Sequence, residues 1–200
     1  TDMGVNRAGF AIIDDAVVQE AARQEVIRRY YRYGCEYMLG FTDQETVQRV
    51  ELAVRDFGLK PEDRRVVAPA HRAADEAMNK SDKGNEGVYC GAAIELKDGT
   101  IVTGCNSPSM HAASSLMLHA LKHLAGIPEQ IKLLPTTIID SIRNLKTSAL
   151  HEKFVSLDLQ ETLVALSISA TTNSAAALAL EQIGELRGCE VHLTHIPTPG

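Results

Sequence analysis

Val88-Tyr89-Cys90-Gly91-Ala92-Ala93-Ile94-Glu95-Leu96-Lys97, then Asp98-Gly99, then Thr100-Ile101-Val102-Thr103-Gly104-Cys105, is the stretch on which the fold turns. Val88, Cys90, Ala92, Ile94 and Leu96 alternate with Tyr89, Gly91, Ala93, Glu95 and Lys97, the period of two that belongs to a strand. Asp-Gly between two such runs is a strong local signal for a β-hairpin. Asn106-Ser107-Pro108-Ser109 then punctuates the chain, and the spacing predicts a helix from about Met110 to Ala125. Its apolar arc holds Ala113, Leu116, Met117, Ala120, Leu121 and Leu124. Its polar arc holds His111, Ser115, His119, Lys122 and His123. Gly126 stops it.

Downstream, Ile131 to Leu134 reads as a short strand, and Ile138, Ile142 and Leu145 mark a helix. Asp158 with Glu161 caps a helix running to about Ala170, so apolar that it is expected to be buried. Thr171 to Ser174 is a turn, Ala175 to Leu186 a further helix, and Cys189, Val191 and Leu193 the inward positions of a last strand. Strands alternating with helices define an α/β layer.

Upstream the pattern is helical. Val18, Ala22, Val26, Tyr30, Tyr33 and Tyr37 form one apolar stripe of a helix from Asp14 to Met38. Val17, Ile27, Tyr31 and Met38 form a second. A helix with two stripes is expected to be sandwiched, which points to a homo-oligomer through Asp14–Met38 or to docking on another domain. Thr42-Asp43-Gln44-Glu45 reads as a capping box for a helix burying Val47, Val50, Val54 and Phe57 and closed by Gly58. Pro61 suits another helix start, Pro69 interrupts that segment, and Ala70 to Met78 is a short Ala-rich helix. The polar stretch from Asn79 to Gly87 is the expected boundary. It divides the chain into a helical subdomain, residues 1–83, and an α/β subdomain, residues 84–200.

Composition sets the limits on function. The 200 residues are 44% hydrophobic and 23% charged, the profile of a globular chain. Twenty basic against 26 acidic residues leave a formal charge of -6, which argues against a nucleic-acid partner. No apolar run reaches membrane-spanning length, and no signal-peptide pattern opens the chain, so no membrane partner is expected. The four cysteines (Cys35, Cys90, Cys105 and Cys189) are read as reduced thiols in a cytoplasm. The chain begins at Thr1 without an initiator Met and is expected to belong to a longer protein.

Several residues carry candidate chemistry. Asn106, Ser107, Ser109 and His111 lie where the hairpin ends and the next helix begins, the place where free backbone N–H groups favour a small polar or anionic ligand. Ordinary N-capping explains the same residues. Glu86 and His195 flank strands and are candidate acid–base groups, His111 is a further catalytic candidate, and Cys105 or Cys90 with a nearby His is a candidate nucleophile. A strand cysteine is more often a small buried hydrophobe. His119 and His123 stand one helical turn apart, the spacing of a metal pair or of a solvated stripe, but Ala120 occupies the position where a zincin carries its base. Arg28, Arg29 and Arg32 lie among Tyr30, Tyr31 and Tyr33, where core packing competes with nucleic-acid stacking. Lys83-Gly84-Asn85-Glu86-Gly87 lacks the spacing of a Walker loop, and the sequence calls for no cofactor.

Gly91-Ala92-Ala93-Ile94, Asp98-Gly99, Thr103-Gly104-Cys105-Asn106 and His111-Ala112-Ala113 together resemble the opening of cytidine deaminases. The resemblance implies a cytidine-deaminase-like three-layer α/β subdomain, with His111 at the position of the first zinc ligand. Those enzymes place Glu two residues further on, then a Pro-Cys-x-x-Cys pair. Here the Glu position is Ala113 and no Pro-Cys-x-x-Cys occurs, so the resemblance implies the fold, with neither the zinc reaction nor a metal.

The whole chain resembles a bacterial family of unknown function, domain of unknown function 1846, also called uncharacterised protein family 0371. The carrying segments include Thr1-Asp2-Met3-Gly4-Val5-Asn6-Arg7, Gly84-Asn85-Glu86-Gly87, Met110-His111-Ala112-Ala113-Ser114, Asn144-Leu145-Lys146-Thr147 and Leu186-Arg187-Gly188-Cys189-Glu190. The resemblance implies the C-terminal portion of longer proteins with no settled activity. Two expectations follow: a small-ligand-binding domain, nucleotide-like or phosphorylated in preference, or a structural and oligomerisation module.

Overall fold

The computed structural model describes residues 15–195 except residue 154. Calls that fall on residues 1–14 lie outside the described residues. The chain forms two compact units, Thr1–Arg64 and Arg65–Gly200.

In the first unit, α1 spans Asp15–Met38 and α2 spans Gln44–Asp56. The N-cap of α2 is Asp43, one residue beyond the expected Thr42. Its carboxylate accepts the Thr46 N–H at 2.8 Å, which also holds the carboxyl below its ordinary range. Val50 is buried as expected, but Phe57 is exposed because it caps the helix instead of extending its buried face. Ile27 of α1 and Leu59 are buried with Val50. The arginines of α1 are engaged within the helix: Arg28 and Arg29 pair with Glu25, and Arg32 with Glu36. Tyr31 lies under the Arg64 guanidinium and edge-on to Tyr30, and burial, then Glu62, pushes its phenol up to about 12. The basic–aromatic stretch is thus folded into ion pairs and ring contacts. A 3-10 turn, Pro61–Asp63, ends the unit.

The second unit begins earlier than the polar loop suggested. Helix α3, Val67–Met78, buries Val67, Ala70, Ala74 and Ala77 and belongs to the α/β unit. Pro69 does not break it. It sits in the first turn, where backbone N–H groups have no intrahelical acceptor to lose. Strands β1, Gly91–Glu95, and β2, Ile101–Cys105, form the expected hairpin around Asp98-Gly99, and β3, Glu190–Leu193, adds to the other side of β1. The sheet is antiparallel in the order β2-β1-β3.

Its two faces follow from the register. Gly91 pairs with Cys105, and Ala92 with Gly104, so Gly91 and Gly104 point to opposite faces. A Cβ on Gly91 would run into the Ala70 carbonyl of α3. A Cβ on Gly104 would lie 2.6 Å from the Leu116 Cα of α4, the helix Ala112–Leu124. The two glycines let a helix backbone approach each face closely, giving α3, sheet and α4 as three layers. Ala92, Ile94, Ala112, Leu116 and Ala120 form the core on the α4 side; Val66, Ala70 and Ala93 form it on the α3 side.

The remaining helices are α5, Thr136–Ser148, α6, Leu159–Ala170, and α7, Ser174–Glu181, followed by a 3-10 turn, Ile183–Leu186. Leu121, Leu133, Leu157, Leu166 and Ala176 anchor their core. Ile131–Leu134 is irregular, not a strand. Leu133 and Leu134 are buried, and Asn173, the N-cap of α7, donates its amide to the Lys132 and Leu133 carbonyls. Helix α6 has the expected capping box at Asp158 and Glu161, but Val164 and Ile168 are exposed, so its apolar sequence is only partly buried. Among the described residues no helix is long and apolar enough to cross a membrane.

Candidate functional site

The sequence-predicted residues fall at one end of the sheet, where β1 begins, β2 and β3 end, and α4 starts. Asn106 is the peg of that end. Its N–H donates to the Cys90 carbonyl at 3.1 Å, its Oδ1 accepts the Cys90 N–H at 2.8 Å, its Nδ2 donates to Val88 O at 3.0 Å, and its carbonyl accepts the Gly84 N–H at 2.9 Å. The amide expected to meet a ligand is therefore engaged with the 84–90 segment. Ser107 is engaged too: its hydroxyl accepts from the Ser109 and Met110 N–H groups at 3.4 and 3.2 Å and lies 3.2 Å from the Ser109 hydroxyl. These bonds close a two-residue turn at Pro108-Ser109.

His111 is the N-cap of α4, with extended backbone (ψ 159) and no side-chain cap bond. Its N–H donates to Leu157 O at 2.9 Å, and its carbonyl accepts the Ser115 N–H at 3.1 Å. His195 follows β3. Thr194 exchanges bonds with Gly91 through its own N–H, at 3.0 Å, and its hydroxyl, at 2.9 Å, which sets His195 beside the start of β1. Burial, then the charge of His111, lowers the His195 pKa, so His195 favours the neutral ring. Its Nδ1 is buried with no hydrogen-bond partner among the described residues.

The other candidates stand elsewhere. Cys105 pairs with Gly91 and so faces α3, on the opposite side of the sheet from α4; strand alternation separates it from His111. Cys90 is buried on the α4 side, and burial pushes its thiol up, away from thiolate. Glu86 sits at φ 49 in a tight turn with Gly87 at φ 79, closed by Asn85–Val88 bonds of 2.9 and 2.8 Å. Both positive angles match a type I′ turn, and Glu86 is exposed. His119 of the i, i+4 pair bonds the Thr103 carbonyl through Nδ1 at 2.9 Å, which ties α4 to β2. Among the described residues no three His, Cys, Asp or Glu side chains gather closely enough to hold a metal ion.

Two features had no signal in the sequence. His71 of α3 and His192 of β3 lie 5.9 Å apart on the face opposite α4. Lys146 of α5 is buried beside Glu161 and Glu152. Burial opposes its charge, but the hydrogen bonds and charges of the two carboxylates, Glu161 before Glu152, outweigh it and raise the lysine pKa. Neither pairing follows a helical or strand period, because each joins side chains from separate elements.

Fold and site together define a mixed α/β protein with a small antiparallel sheet. The C-terminal part of the family described as domain of unknown function DUF1846 matches residues 62–200, and the N-terminal part matches residues 1–58. The chain belongs to the DUF1846 family. It therefore carries a piece of the family's N-terminal domain as well as the C-terminal domain, and the two matches part close to the division between the compact units. Relatives named UPF0371 protein include those of Clostridium botulinum (strain Alaska E43 / Type E3) and Clostridium tetani (strain Massachusetts / E88), each 45% identical over 196 residues. Another, from Clostridioides difficile (strain 630), is 44% identical over the same length. The matches cover 98% of this chain and 39% of each relative, so the chain spans about two fifths of the length of the curated relatives it matches. The family is one of unknown function.

Proposed function

We propose that the α/β unit binds a small polar ligand, nucleotide-like or phosphorylated, at the corner where His111 and His195 meet. The supporting observation is the His195 Nδ1, buried and without a partner among the described residues, at the end of the sheet where the helix capped by His111 begins. A buried ring nitrogen without a partner is costly unless a ligand or water completes it. His111 contacts the ligand at the start of α4, where free backbone N–H groups favour negative charge. His195 supplies a neutral acceptor or donor. Asn106 and Ser107 hold the rim and do not touch the ligand. The cytidine-deaminase-like layout belongs to this reading, since a hairpin feeds a helix capped by His111. So does a cytoplasmic location, which suits four free cysteines.

The test is a thermal-shift screen of the full-length protein against nucleotides, sugar phosphates and metals, followed by titration of any hit into His111→Asn and His195→Asn. A hit whose affinity falls in both variants supports the corner. A hit indifferent to both, or no hit, rejects it.

One observation favours a second reading, an assembly module. Val17, Val18, Tyr37 and Met38 of α1 are exposed, with Leu39 and Phe41 following. A second copy paired through α1 would cover them. Sedimentation showing a monomer at high concentration overturns that reading; a dimer dissociated by Val18→Lys supports it.

A further inference from the structure

The entry to α4 is bonded to Leu157, and the carbonyl of the preceding residue, Ser156, accepts from a buried lysine on another helix. Leu157 is fully buried; its N–H donates to the Ser109 carbonyl at 2.9 Å. Its own carbonyl accepts the His111 N–H at 2.9 Å and the Ser114 hydroxyl at 3.1 Å. Leu157 thus fixes both the turn that leads into α4 and its N-cap. The residues on either side of Leu157 are gripped by a single cluster. Lys146 Nζ donates to the Ser156 carbonyl at 3.2 Å and to Glu161 at 2.9 Å. The same Glu161 accepts the Asp158 N–H at 2.9 Å, and the Glu152 carboxylate stands 3.4 Å from Lys146 Nζ.

The lysine is 6% exposed. A buried ion pair is weak evidence for stability, because desolvation offsets its attraction and an apolar side chain of similar volume packs as well. An apolar side chain cannot reproduce the bond to Ser156 O or hold the carboxylate that bonds Asp158 N–H. These bonds set the path of 156–158, and that path sets His111.

We propose that Lys146, clamped by Glu161, is a positioning residue that places the His111 imidazole through Leu157. The proposal deepens the reading of His111 and His195 as a site and rests on it for its functional consequence; the mechanical link rests on the hydrogen bonds alone. Removing the ammonium frees Ser156 O and Glu161, lets 156–158 shift, and releases His111 from its setting beside His195 while the sheet core stays closed.

The experiment uses the full chain with Lys146→Met and Lys146→Arg. Amide hydrogen exchange at His111 is read against that at Ala92 in the core, and ring resonances of His111 and His195 are followed through a pH titration. In Lys146→Met the His111 amide is expected to exchange about ten- to a hundredfold faster relative to Ala92, the ratio set by losing hydrogen bonds to a charged group. The His195 titration midpoint is expected to move up as His111 moves away, and Lys146→Arg restores both readouts in part. Unchanged relative exchange and unchanged imidazole titrations in a folded Lys146→Met overturn the proposal, even with a lowered Tm. Should Lys146→Met fail to fold, Glu161→Gln keeps an acceptor for Asp158 N–H and supplies the same two readouts. A wild-type protein that binds no nucleotide or sugar phosphate removes the ligand reading, and the exchange and titration results still decide this one.

Discussion

Replacing Gly91 with alanine tests the layering directly, because strand propensity and sterics predict opposite signs. Glycine weakens a strand interior, so alanine at an unobstructed strand position stabilises slightly. At Gly91 the new methyl would overlap the Ala70 carbonyl oxygen and lie 2.7 Å from the Ala74 nitrogen and 3.0 Å from the Ala70 carbonyl carbon. All three are backbone atoms of α3, so no side chain can turn aside; the whole helix must move off the sheet. That motion also loosens Ala70 and Ala93, both fully buried in the same cluster. Overpacking of a close-packed core typically costs about 1–3 kcal/mol, and backbone obstruction places this case at about 3 kcal/mol. For a chain of this size that lowers Tm by about 6–12 °C. The control is Gly126→Ala, where φ is +64 and nothing stands within 4 Å of the added methyl, so only backbone strain of about 1 kcal/mol applies. Urea unfolding followed by circular dichroism measures both. Equal losses in the two variants, or a stable Gly91→Ala, would refute the close approach of α3 to β1.

Asn106→Ala strands the buried Cys90 N–H and the Val88 carbonyl, and is expected to destabilise the protein by about 2–4 kcal/mol, with fast amide exchange confined to 84–90 in the folded remainder. Denaturant titration with exchange mapping checks it. Glu86→Asn relieves a left-handed residue in a type I′ turn and is expected to raise stability by about 0.5–1 kcal/mol, measured as a higher urea midpoint at unchanged slope. His195 titrates below its ordinary value of 6.5 in the folded chain, so the unfolded chain binds the proton first on acidification. Its contribution is present above that value and is lost as pH falls below it; unfolding free energies on acidification should fall more steeply in the wild type than in His195→Asn.

Much of the local architecture was legible in the residues. Alternation from Val88 to Leu96 with Asp98-Gly99 marked the hairpin, and Asp158 with Glu161 marked the start of α6, because these signals depend on neighbours within a few positions. Pro69 misled for the same reason. A proline is read as a break from its local chemistry, but its place in the first turn of α3 removed the conflict. Ile131–Leu134 looked like a strand because a short apolar run does not reveal whether a sheet edge is free to receive it; here Asn173 takes carbonyls that a strand would use.

The site divides along the same line. Sequence alone placed His111 at a helix start and His195 after a strand, since each position is set by local pattern. Only the tertiary structure turned Cys105 to the opposite face, engaged Asn106 with the 84–90 segment and buried Lys146 against Glu161. Those facts depend on strand register and on contacts between separate segments of the chain. Alternation and the Asp98-Gly99 turn set the register of the hairpin, but which helix covers which face is decided by contacts between segments far apart in the chain.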